Sequence, residues 1–370
     1  MIKVLFFIHD LMHGGAEKVL VNLVNNMDKK KFDITVLCLF DEGVNKKYLN
    51  DDIHYKYVFK KAFRGNTILL KLFSPKTLYK KMIKDEYDIV ISYLEGSCTR
   101  IIAGADNDLK KIAWVHATES IKEFKYSYRS LKEAKETYYK YNKVICVSEE
   151  VSKNLSKLTG LEDSIDVKYN VNETDKIIKL SNIYAEEIKQ EDGIFNICAV
   201  GKVVHNKGFM RLAHVCKRLS YEGYRMKVYI LGIGDEQDKV ISYLKENDIE
   251  DVFCFLGYQE NPYKYIAACD LFVCSSYKEG FSTATTEALI VGTPVVVTNC
   301  SGMREMLGDN EYGLIVDNSE DGIYQGLKKL MDDKELLIHY TEQSKIRGRF
   351  FEKQRIVDDI QNMMINLIQE

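Results

Sequence analysis

The sequence predicts an α/β protein of two Rossmann-like domains that face each other across a cleft. Short apolar segments alternate with amphipathic segments along the whole chain, which is the pattern of parallel sheets covered by helices. A chain of 370 residues is too long for one ordinary core. The alternation pauses at a polar, charged stretch over residues 170–193 and then restarts. We therefore expect an N-terminal domain over residues 1–175 and a C-terminal domain over residues 190–350.

Each predicted strand is an apolar run bounded by polar or glycine-containing turns. In the N-terminal half we predict strands near residues 2–8, 33–40, 87–93, 110–115 and 142–147. In the C-terminal half we predict strands near residues 194–201, 226–232, 252–257, 270–275 and 294–298. Residues 170–193 fit a helix followed by an interdomain linker. Residues 351–368 have the period of an amphipathic helix, and packing of residues 351–370 back onto the N-terminal domain is one of the placements open to it.

The composition argues against several classes of function. A formal charge of −3 disfavours nucleic acid as a partner, because proteins that bind a phosphate backbone carry a basic excess. The nine cysteines show no paired spacing, which favours a reduced, cytoplasmic protein. No run approaches the roughly twenty apolar residues that span a bilayer. No Cys/His cluster has metal-ligand spacing, and Asp106-Asn107-Asp108 has the character of an ordinary turn, so no metal site is expected.

Glu279 and Glu287 are the carboxylates that most strongly suggest a binding site. They bound the segment Glu279-Gly280-Phe281-Ser282-Thr283-Ala284-Thr285-Thr286-Glu287, which lies between two predicted strands. If a helix begins near Ser282, its unpaired N–H groups attract an anion such as a diphosphate, and the carboxylates beside it can hold hydroxyl groups. Glutamates on a solvated helix are the alternative. The position at the carboxyl end of a strand favours the ligand site.

A loop with two lysines follows the first predicted strand of the C-terminal half. It has the sequence Gly201-Lys202-Val203-Val204-His205-Asn206-Lys207-Gly208, and the apolar spacing after Gly208 indicates that a helix begins there. Lys202 and Lys207 on such a loop can reach one diphosphate. Solvated surface lysines are the alternative, and the helix start disfavours it.

Two strand ends in the N-terminal half carry weaker signals. Gly14-Gly15 follows the first strand and permits a phosphate to approach the backbone at Gly15, although a tight turn explains the pair equally well. His116 ends another strand, close to the only tryptophan, Trp114. A structural histidine is the commoner case. Its place at the carboxyl edge of the predicted sheet makes His116 a candidate partner of a bound sugar.

These motifs together resemble the family 4 glycosyltransferases, which are retaining enzymes of the GT-B fold. The resemblance spans essentially the whole chain and is most specific between Gly201 and Val316. The matching positions there are Gly201, Lys207-Gly208, Gly232-Ile233-Gly234, Phe255-Leu256-Gly257, Glu279 and Glu287 as an E-x7-E pair, Gly292-Thr293-Pro294, Glu305 and Gly313-Leu314-Ile315-Val316. Weaker matches in the first half are Gly14-Gly15-Ala16-Glu17, His116, Val147-Ser148 and Asn170.

The resemblance implies a role for each candidate residue. Glu279 and His116 would contact the transferred sugar, and Glu287 would bind the ribose hydroxyls. The family usually has arginine at the position of Lys202, and a lysine keeps the charge but loses the bidentate geometry. The groups expected around the diphosphate and the base are the backbone of Gly280, Phe281 and Ser282, the residues Gly15, Lys202 and Lys207, and the region of Gly257 and Tyr258.

The resemblance also implies a reaction, in which a hexose or N-acetylhexosamine moves from a nucleotide-diphosphate sugar, by family habit a UDP-sugar, to a glycan acceptor. The expected enzyme is a hexosyltransferase of capsule or exopolysaccharide synthesis that needs no cofactor or metal. Retention is described for this family as attack from the leaving-group face, with a donor phosphate oxygen accepting the proton. A nucleotide-sugar 2-epimerase would need a set of carboxylates and histidines that we do not find. A non-catalytic glycan-binding protein is disfavoured by the intact Glu279, Glu287 and Lys207.

Residues 56–81 combine basic and apolar side chains. The basic ones are Lys56, Lys60, Lys61, Arg64, Lys71, Lys76, Lys80 and Lys81, and the apolar ones are Phe59, Phe63, Ile68, Leu69, Leu70, Leu72 and Phe73. Such a segment suits an anionic membrane surface or a lipid diphosphate. A helix and loop packed on the sheet with solvated lysines is an equally open interpretation. The first interpretation predicts a peripheral enzyme at the inner face of the plasma membrane with a lipid-linked or oligosaccharide acceptor.

Overall fold

The computed structural model describes residues 1–369, which fold into two compact α/β units. Unit 1 contains Met1–Val171 together with the chain from Lys353 onward, and unit 2 contains Asn172–Glu352. Each unit has one parallel sheet with helices packed on it. The predicted class, two Rossmann-like halves with parallel sheets, is confirmed.

Unit 1 is built on a seven-stranded sheet with the order β3-β2-β1-β4-β5-β6-β7. Its strands are β1 (Ile2–Ile8), β2 (Phe32–Phe40), β3 (His54–Phe59), β4 (Ile89–Ser92), β5 (Lys110–Val115), β6 (Lys143–Cys146) and β7 (Ile165–Val167). The central strands are buried on both faces, as their continuous apolar sequences require. Strand β1 pairs with β2 on one side and β4 on the other, so the strand order reverses between β1 and β4.

The helices of unit 1 connect these parallel strands. They are α1 (Gly15–Asn26), α2 (Asn66–Leu72), α3 (Pro75–Met82), α4 (Ser97–Ile102), α5 (Ile121–Tyr126), α6 (Leu131–Tyr138) and α7 (Glu149–Thr159), with a 3₁₀ turn at Val44–Tyr48. Serine caps start several of them, because a serine oxygen accepts a hydrogen bond from an N–H group that the helix leaves unpaired. In α7, Ser148 accepts from the amide of Val151, and Gly160 ends the helix with a left-handed φ of 87°.

Unit 2 is built on a six-stranded sheet with the order β10-β9-β8-β11-β12-β13. Its strands are β8 (Phe195–Val200), β9 (Met226–Leu231), β10 (Phe253–Gly257), β11 (Leu271–Cys274), β12 (Val295–Thr298) and β13 (Leu314–Val316). Its helices are α8 (Thr174–Ser181), α9 (Phe209–Tyr221), α10 (Gln237–Glu246), α11 (Tyr263–Ala268), α12 (Thr283–Val291), α13 (Met303–Leu307), α14 (Glu320–Asp332) and α15 (Lys334–Gly348), with 3₁₀ turns at His205–Lys207 and Arg349–Phe351.

The last helix, α16 (Lys353–Gln369), belongs to unit 1. Its amphipathic period was the basis for predicting a helix over residues 351–368. Buried apolar side chains form its inner face, and the side chain of Gln361 accepts a hydrogen bond from the amide of Asp28 at 2.6 Å. The ammonium of Lys168 pairs with Asp359 at 2.7 Å. These contacts place α16 on the N-terminal unit.

The ten predicted strands are all present, but three strands escaped the sequence analysis. They are β3, β7 and β13, and each one lies at an edge of its sheet. An edge strand is covered on fewer sides than a central one, so its sequence is shorter or more polar. Most residues of these three strands are at least partly exposed. Strands β3 and β7 contain polar residues, and β13 is apolar but only three residues long.

Candidate functional site

The strand order of unit 2 brings two loops to one point of the sheet. Strands β8 and β11 are neighbours, although β9 and β10 lie between them in the sequence. The loop after β8 and the loop after β11 therefore leave the carboxyl edge side by side. This is the switch point at which open α/β sheets bind ligands.

The two loops are joined by hydrogen bonds. The hydroxyl of Ser275 donates to the carbonyl of Lys207 at 2.9 Å, and the side-chain amide of Asn206 donates to the carbonyl of Lys278 at 2.8 Å. Gly208 has a left-handed φ of 67°, and a Cβ atom on it would lie 2.2 Å from the carbonyl oxygen of Ser275. A glycine is therefore required for the backbones to approach this closely.

Lys207 and Glu279, which were predicted separately, meet at this point. The ammonium Nζ lies 2.6 Å from the carboxylate Oε1, and the side chains are 28% and 11% exposed. Burial lowers the pKa of Lys207, but the charge and hydrogen bond of Glu279 raise it by more, so the pKa lies above its ordinary value. Lys207 is thus a charged donor held beside a mostly buried carboxylate.

Ser276 and Arg211 also belong to the site, and neither is part of a motif that predicts a site. The hydroxyl of Ser276 donates to Oε1 of Glu279 at 2.5 Å. The guanidinium of Arg211, on α9, donates to the carbonyls of Ser275 and Ser276 at 2.7 and 2.6 Å, and it stacks 3.9 Å from the ring centre of Tyr277. The available signal was an arginine among the apolar residues of an amphipathic helix, and that signal alone names no partner.

Helix α12 begins directly after this loop. Ser282 caps it by accepting a hydrogen bond from the amide of Thr285, as the predicted helix start requires. Glu287 is buried on α12, and Thr283 precedes it by four residues on the same helical face. The ring of Phe281 is buried against Phe351, so only the backbone of Phe281 is suited to meet a ligand.

Three further predicted residues lie along the same sheet edge. Lys202 follows β8 and is exposed. Gly257 ends β10, where its carbonyl accepts from the amide of Gly232 at 2.7 Å, and the exposed Tyr258 follows it. Strands β10 and β8 are separated by β9 alone, so the Tyr258 region lies about 10 Å from the β8 loop, on the basis of the usual strand spacing.

In unit 1, the glycine pair stands at the start of α1. Gly14 is the N-cap and Gly15 the first helical residue, so the helix start follows β1 as predicted. The carboxylate of Glu17 folds over the cap, because a Cβ atom on Gly14 would lie 1.8 Å from its Oε2. An acidic side chain, rather than open space, therefore borders the Gly14 cap at the start of α1.

His116 follows β5, next to the strand-order reversal of unit 1. Its ring packs 4.9 Å from the ring of Tyr93, and its backbone amide donates to Glu95 at 3.1 Å. Burial lowers the pKa of His116 to about 3, although a hydrogen bond with the Tyr93 backbone raises it. The Nε2 atom is buried and has no hydrogen-bond partner within residues 1–369. The ring is therefore neutral at physiological pH and presents an unused acceptor.

The segment 56–81 forms β3, α2 and α3, and much of its apolar surface is exposed. We call Ile68, Leu69, Leu72 and Phe73 the α2 patch; Ile68 and Leu72 are 67% and 70% exposed. The buried Arg100 donates to the carbonyls of Leu70 and Phe73 at 3.0 and 2.9 Å and so fixes the end of α2. The backbone of α2 is thus held on unit 1, while the four side chains of the α2 patch remain exposed.

Two other features concern metals and membranes. Asp106 forms an ion pair with Lys76 at 3.4 Å, and its carbonyl accepts from Lys111. Within residues 1–369, no three His, Cys, Asp or Glu side chains are grouped so that they could hold a metal ion. In the same range no helix has the length and apolar character needed to cross a bilayer. All nine cysteines are free.

Two family models match the chain, one in each half. The model described as Glycosyltransferase Family 4 matches residues 13–176. The model described as Glycosyl transferases group 1 matches residues 181–347 and thus contains the loops of Lys207 and Glu279. Together they span almost the whole chain.

Relatives and solved structures are similar over the full length. The N-acetylgalactosamine-N,N'-diacetylbacillosaminyl-diphospho-undecaprenol 4-alpha-N-acetylgalactosaminyltransferase of Campylobacter jejuni is 28% identical, over 96% of this chain and 98% of that protein. The Escherichia coli UDP-Gal:alpha-D-GlcNAc-diphosphoundecaprenol alpha-1,3-galactosyltransferase is 24% identical, over 96% and 94%. The crystal structure of Anabaena Alr3699/HepE in complex with UDP has a TM-score of 0.78 at 18% identity, and covers 98% of this chain and all of that one. The fold is that of GT-B glycosyltransferases.

Proposed function

The chain belongs to the glycosyltransferases in which a Family 4 domain precedes a group 1 domain, and on that premise we propose that it is a retaining hexosyltransferase of surface polysaccharide synthesis. One observation carries the proposal. The loops after β8 and β11 bring a charged lysine, a carboxylate and a helix start together at the switch point of unit 2. A nucleotide-diphosphate sugar has the matching groups, namely a diphosphate and two sets of sugar hydroxyls.

The proposed donor is a UDP-sugar. Its diphosphate would lie against Lys207, Lys202 and the backbone from Gly280 to Ser282, where an ammonium and the start of α12 both favour negative charge. Glu287 would accept hydrogen bonds from the ribose hydroxyls. Uracil would lie near Tyr258 at the end of β10. The distance of about 10 Å between this point and the β8 loop suits the length of a nucleotide. The solved complex of HepE with UDP supports this choice of nucleotide.

Glu279 is the proposed partner of the transferred sugar. Its Oε1 atom accepts hydrogen bonds from Lys207 and Ser276, while Oε2 has no hydrogen-bond partner within the described chain. Oε2 can therefore accept from a sugar hydroxyl. In unit 1, the proposed ligand-contacting groups are Nε2 of His116, as an acceptor for the sugar, and the backbone of Gly15 at the start of α1. In this proposal the buried thiols of the site stay protonated, because burial raises the pKa of Cys300 to about 11.

The proposed chemistry relies on position and charge. The acceptor hydroxyl attacks the anomeric carbon on the face that the diphosphate leaves, and an oxygen of the leaving phosphate takes its proton. Lys207 stabilises the negative charge that develops on the diphosphate. No cofactor or metal has a role in this scheme. His116 does not serve as the acid, since with a pKa of about 3 its ring is not in the protonated imidazolium form at neutral pH.

The proposed acceptor is a lipid-linked glycan. The names of both relatives specify undecaprenol diphosphate acceptors, and these relatives cover nearly the whole chain. The α2 patch, with the basic residues around it, suits an anionic bilayer surface, since apolar side chains enter the interface while lysines meet lipid phosphates. The proposed location is accordingly the inner face of the plasma membrane, with the rest of the protein in the cytoplasm.

A direct test combines binding with turnover. Thermal unfolding with a panel of nucleoside diphosphates identifies the base, because a ligand of the native state raises the melting temperature. Radiolabelled sugars of that nucleotide are then incubated with and without undecaprenyl-diphosphate glycans. Label on the lipid supports the proposal. Label retained in an epimerised nucleotide sugar would indicate a 2-epimerase, and binding without turnover would indicate a glycan-binding protein.

The anomeric configuration of the product tests retention. The configuration can be read by NMR from the coupling constant of the new linkage. An inverted linkage would contradict the proposed attack from the leaving-group face.

A further inference from the structure

Ser276 has more hydrogen-bond donors on its backbone carbonyl than an ordinary loop residue. Arg211 Nη2 lies 2.6 Å from this oxygen, Thr298 Oγ1 lies 2.6 Å from it, and Cys300 Sγ lies 2.9 Å from it. The three donors come from α9, the end of β12 and the loop after β12. A carbonyl held from three elements can move little in any direction.

The residues beside Ser276 are also held. Arg211 donates to the carbonyl of Ser275 at 2.7 Å and to the side chain of Asn318 at 2.8 Å. Asn318 in turn donates to the carbonyl of Tyr277 at 2.9 Å. Ser276 and Arg211 are both 2% exposed. Water therefore does not compete for these bonds, and the backbone of the loop is fixed before any ligand arrives.

The side chain of Ser276 links this fixed backbone to Glu279 by a hydrogen bond. Its hydroxyl donates to Glu279 Oε1 at 2.5 Å, and the ammonium of Lys207 meets the same oxygen at 2.6 Å. With both donors on Oε1, the carboxylate is turned so that Oε2 has no hydrogen-bond partner within residues 1–369. A glutamate on a loop has several side-chain rotamers, and two donors on one oxygen select among them.

We propose that Ser276 is a positioning residue that orients the Glu279 carboxylate, so that Oε2 faces the hydroxyl of the transferred sugar. This inference rests on the proposed function, in which Glu279 holds that sugar. Ser276 itself does not touch the substrate. Its hydroxyl sets the direction of Glu279, and its carbonyl, held by Arg211, Thr298 and Cys300, keeps the hydroxyl in place.

The substitution Ser276→Ala removes the hydroxyl and leaves the carbonyl cluster intact. We expect kcat with the UDP-sugar that the unmodified protein turns over to fall by about tenfold to a hundredfold, as for a lost hydrogen bond to a charged group. The Kd of UDP, measured by calorimetry, should change by less than about twofold, because UDP lacks the transferred sugar. Ser344→Ala is the matched control, since Ser344 is fully buried and its hydroxyl has no partner within residues 1–369.

A double-mutant cycle separates positioning from general stability. In a Glu279→Ala background, Ser276→Ala should cause no further loss of kcat, because the group it orients is gone. An equal loss in both backgrounds would overturn the inference. If the alanine variant does not fold, Ser276→Cys replaces it, and a reduced kcat is expected because a thiol is a weak donor. Turnover within about twofold of the unmodified protein in the folded variant would likewise overturn it.

The cycle also distinguishes this inference from the proposed function. If Glu279→Ala abolishes turnover while Ser276→Ala is fully active, the positioning role fails and the role of Glu279 stands. If Glu279→Ala is fully active, the proposed function of the site fails first, and the inference fails with it. If no UDP-sugar is turned over by the unmodified protein, the donor assignment is wrong.

Discussion

Lys207 Nζ lies 2.6 Å from Glu279 Oε1, although 72 residues separate the two in the sequence. The contact exists because β8 and β11 are adjacent in the sheet. Lys207 lies on the loop after β8, and Glu279 lies on the loop after β11. One cation and one carboxylate thus occupy the switch point together. The lysine ammonium pairs with the carboxylate and is 28% exposed, so it remains within reach of an anionic ligand.

Lys207→Ala should remove most transfer activity. The lost ammonium stabilises charge on the departing diphosphate, and groups of that kind contribute about a hundredfold to a thousandfold in rate. Initial rates of label transfer from the UDP-sugar measure the effect. Lys334→Ala, at an exposed position of unit 2, is the control and should be neutral. Normal turnover in the Lys207 variant would refute this assignment.

Glu287→Gln should weaken UDP binding by about tenfold to a hundredfold, because a neutral amide accepts ribose hydroxyls less strongly than a carboxylate. Glutamine keeps the volume of this buried side chain. Calorimetric titration with UDP gives the Kd, and the smaller thermal stabilisation by UDP provides an independent measure. Glu335→Gln at an exposed site on α15 is the control. An unchanged Kd would show that Glu287 does not bind the ribose.

His116 should make the protein less stable as the pH falls. Its pKa is lowered from 6.5 to about 3 on folding, so the unfolded chain binds the proton first. The stabilisation is complete above pH 6.5 and is lost progressively towards pH 3, which amounts to about 2 kcal/mol between pH 6.5 and pH 5. Denaturant unfolding at several pH values measures the slope.

His116→Gln should flatten this slope, because glutamine does not titrate in the range. His339→Gln, at an exposed histidine of α15, should leave the slope in place. A variant of His116 with the full slope would show that another group accounts for it.

Leu72→Asp should weaken association with anionic vesicles by about tenfold or more, because it places a charge where an apolar side chain would enter the interface. Sedimentation with vesicles of anionic lipid at low and high salt measures binding. Ile338→Asp is the matched control, since Ile338 is 64% exposed but belongs to unit 2 and is not one of the α2 patch residues. Equal binding by the two variants and the unmodified protein would contradict the proposed binding of the α2 patch to a membrane.

Gly208→Ala should destabilise unit 2 by more than about 2 kcal/mol, because the substitution adds a clash with the Ser275 carbonyl to the cost of a left-handed backbone. Gly223→Ala is the comparison. Gly223 has a φ of 91° but open space around a Cβ atom, so only the backbone cost of about 1 kcal/mol applies. Chemical denaturation measures both, and equal losses would contradict the close approach at Gly208.

The sequence predicts the central part of each sheet well and the edges poorly. Strands such as β1 and β11 are buried on both faces, so their residues must be apolar and the run is visible. Strands β3, β7 and β13 each have one unpaired edge; β3 and β7 are partly polar, and β13 has only three residues. The order of the strands in the sheet cannot be read from the sequence of any one strand. It depends on the point at which the chain begins to add strands to the other side of the sheet.

The sequence predicts where several residues of the candidate site lie along the chain, but not which residues contact one another. Glu279, Glu287 and Lys207 follow apolar strands and adjoin helix starts, which the local pattern shows. The partners of Arg211 lie 64 and 107 residues away in the sequence, at Ser275 and Asn318. Packing alone decides such pairs, so periodicity and spacing could not identify the donors that fix Ser276.

The return of α16 to unit 1 has a consequence for the order in which the protein is made. Residues 1–171 leave the ribosome before unit 2. Only after all of unit 2 follows the helix that pairs Gln361 with Asp28 and Asp359 with Lys168. Synthesis of unit 1 therefore begins before that of unit 2 and is completed only after it. Until α16 has been made, the apolar face that it covers is open to chaperones, and a fragment ending at residue 171 would carry that exposed face permanently.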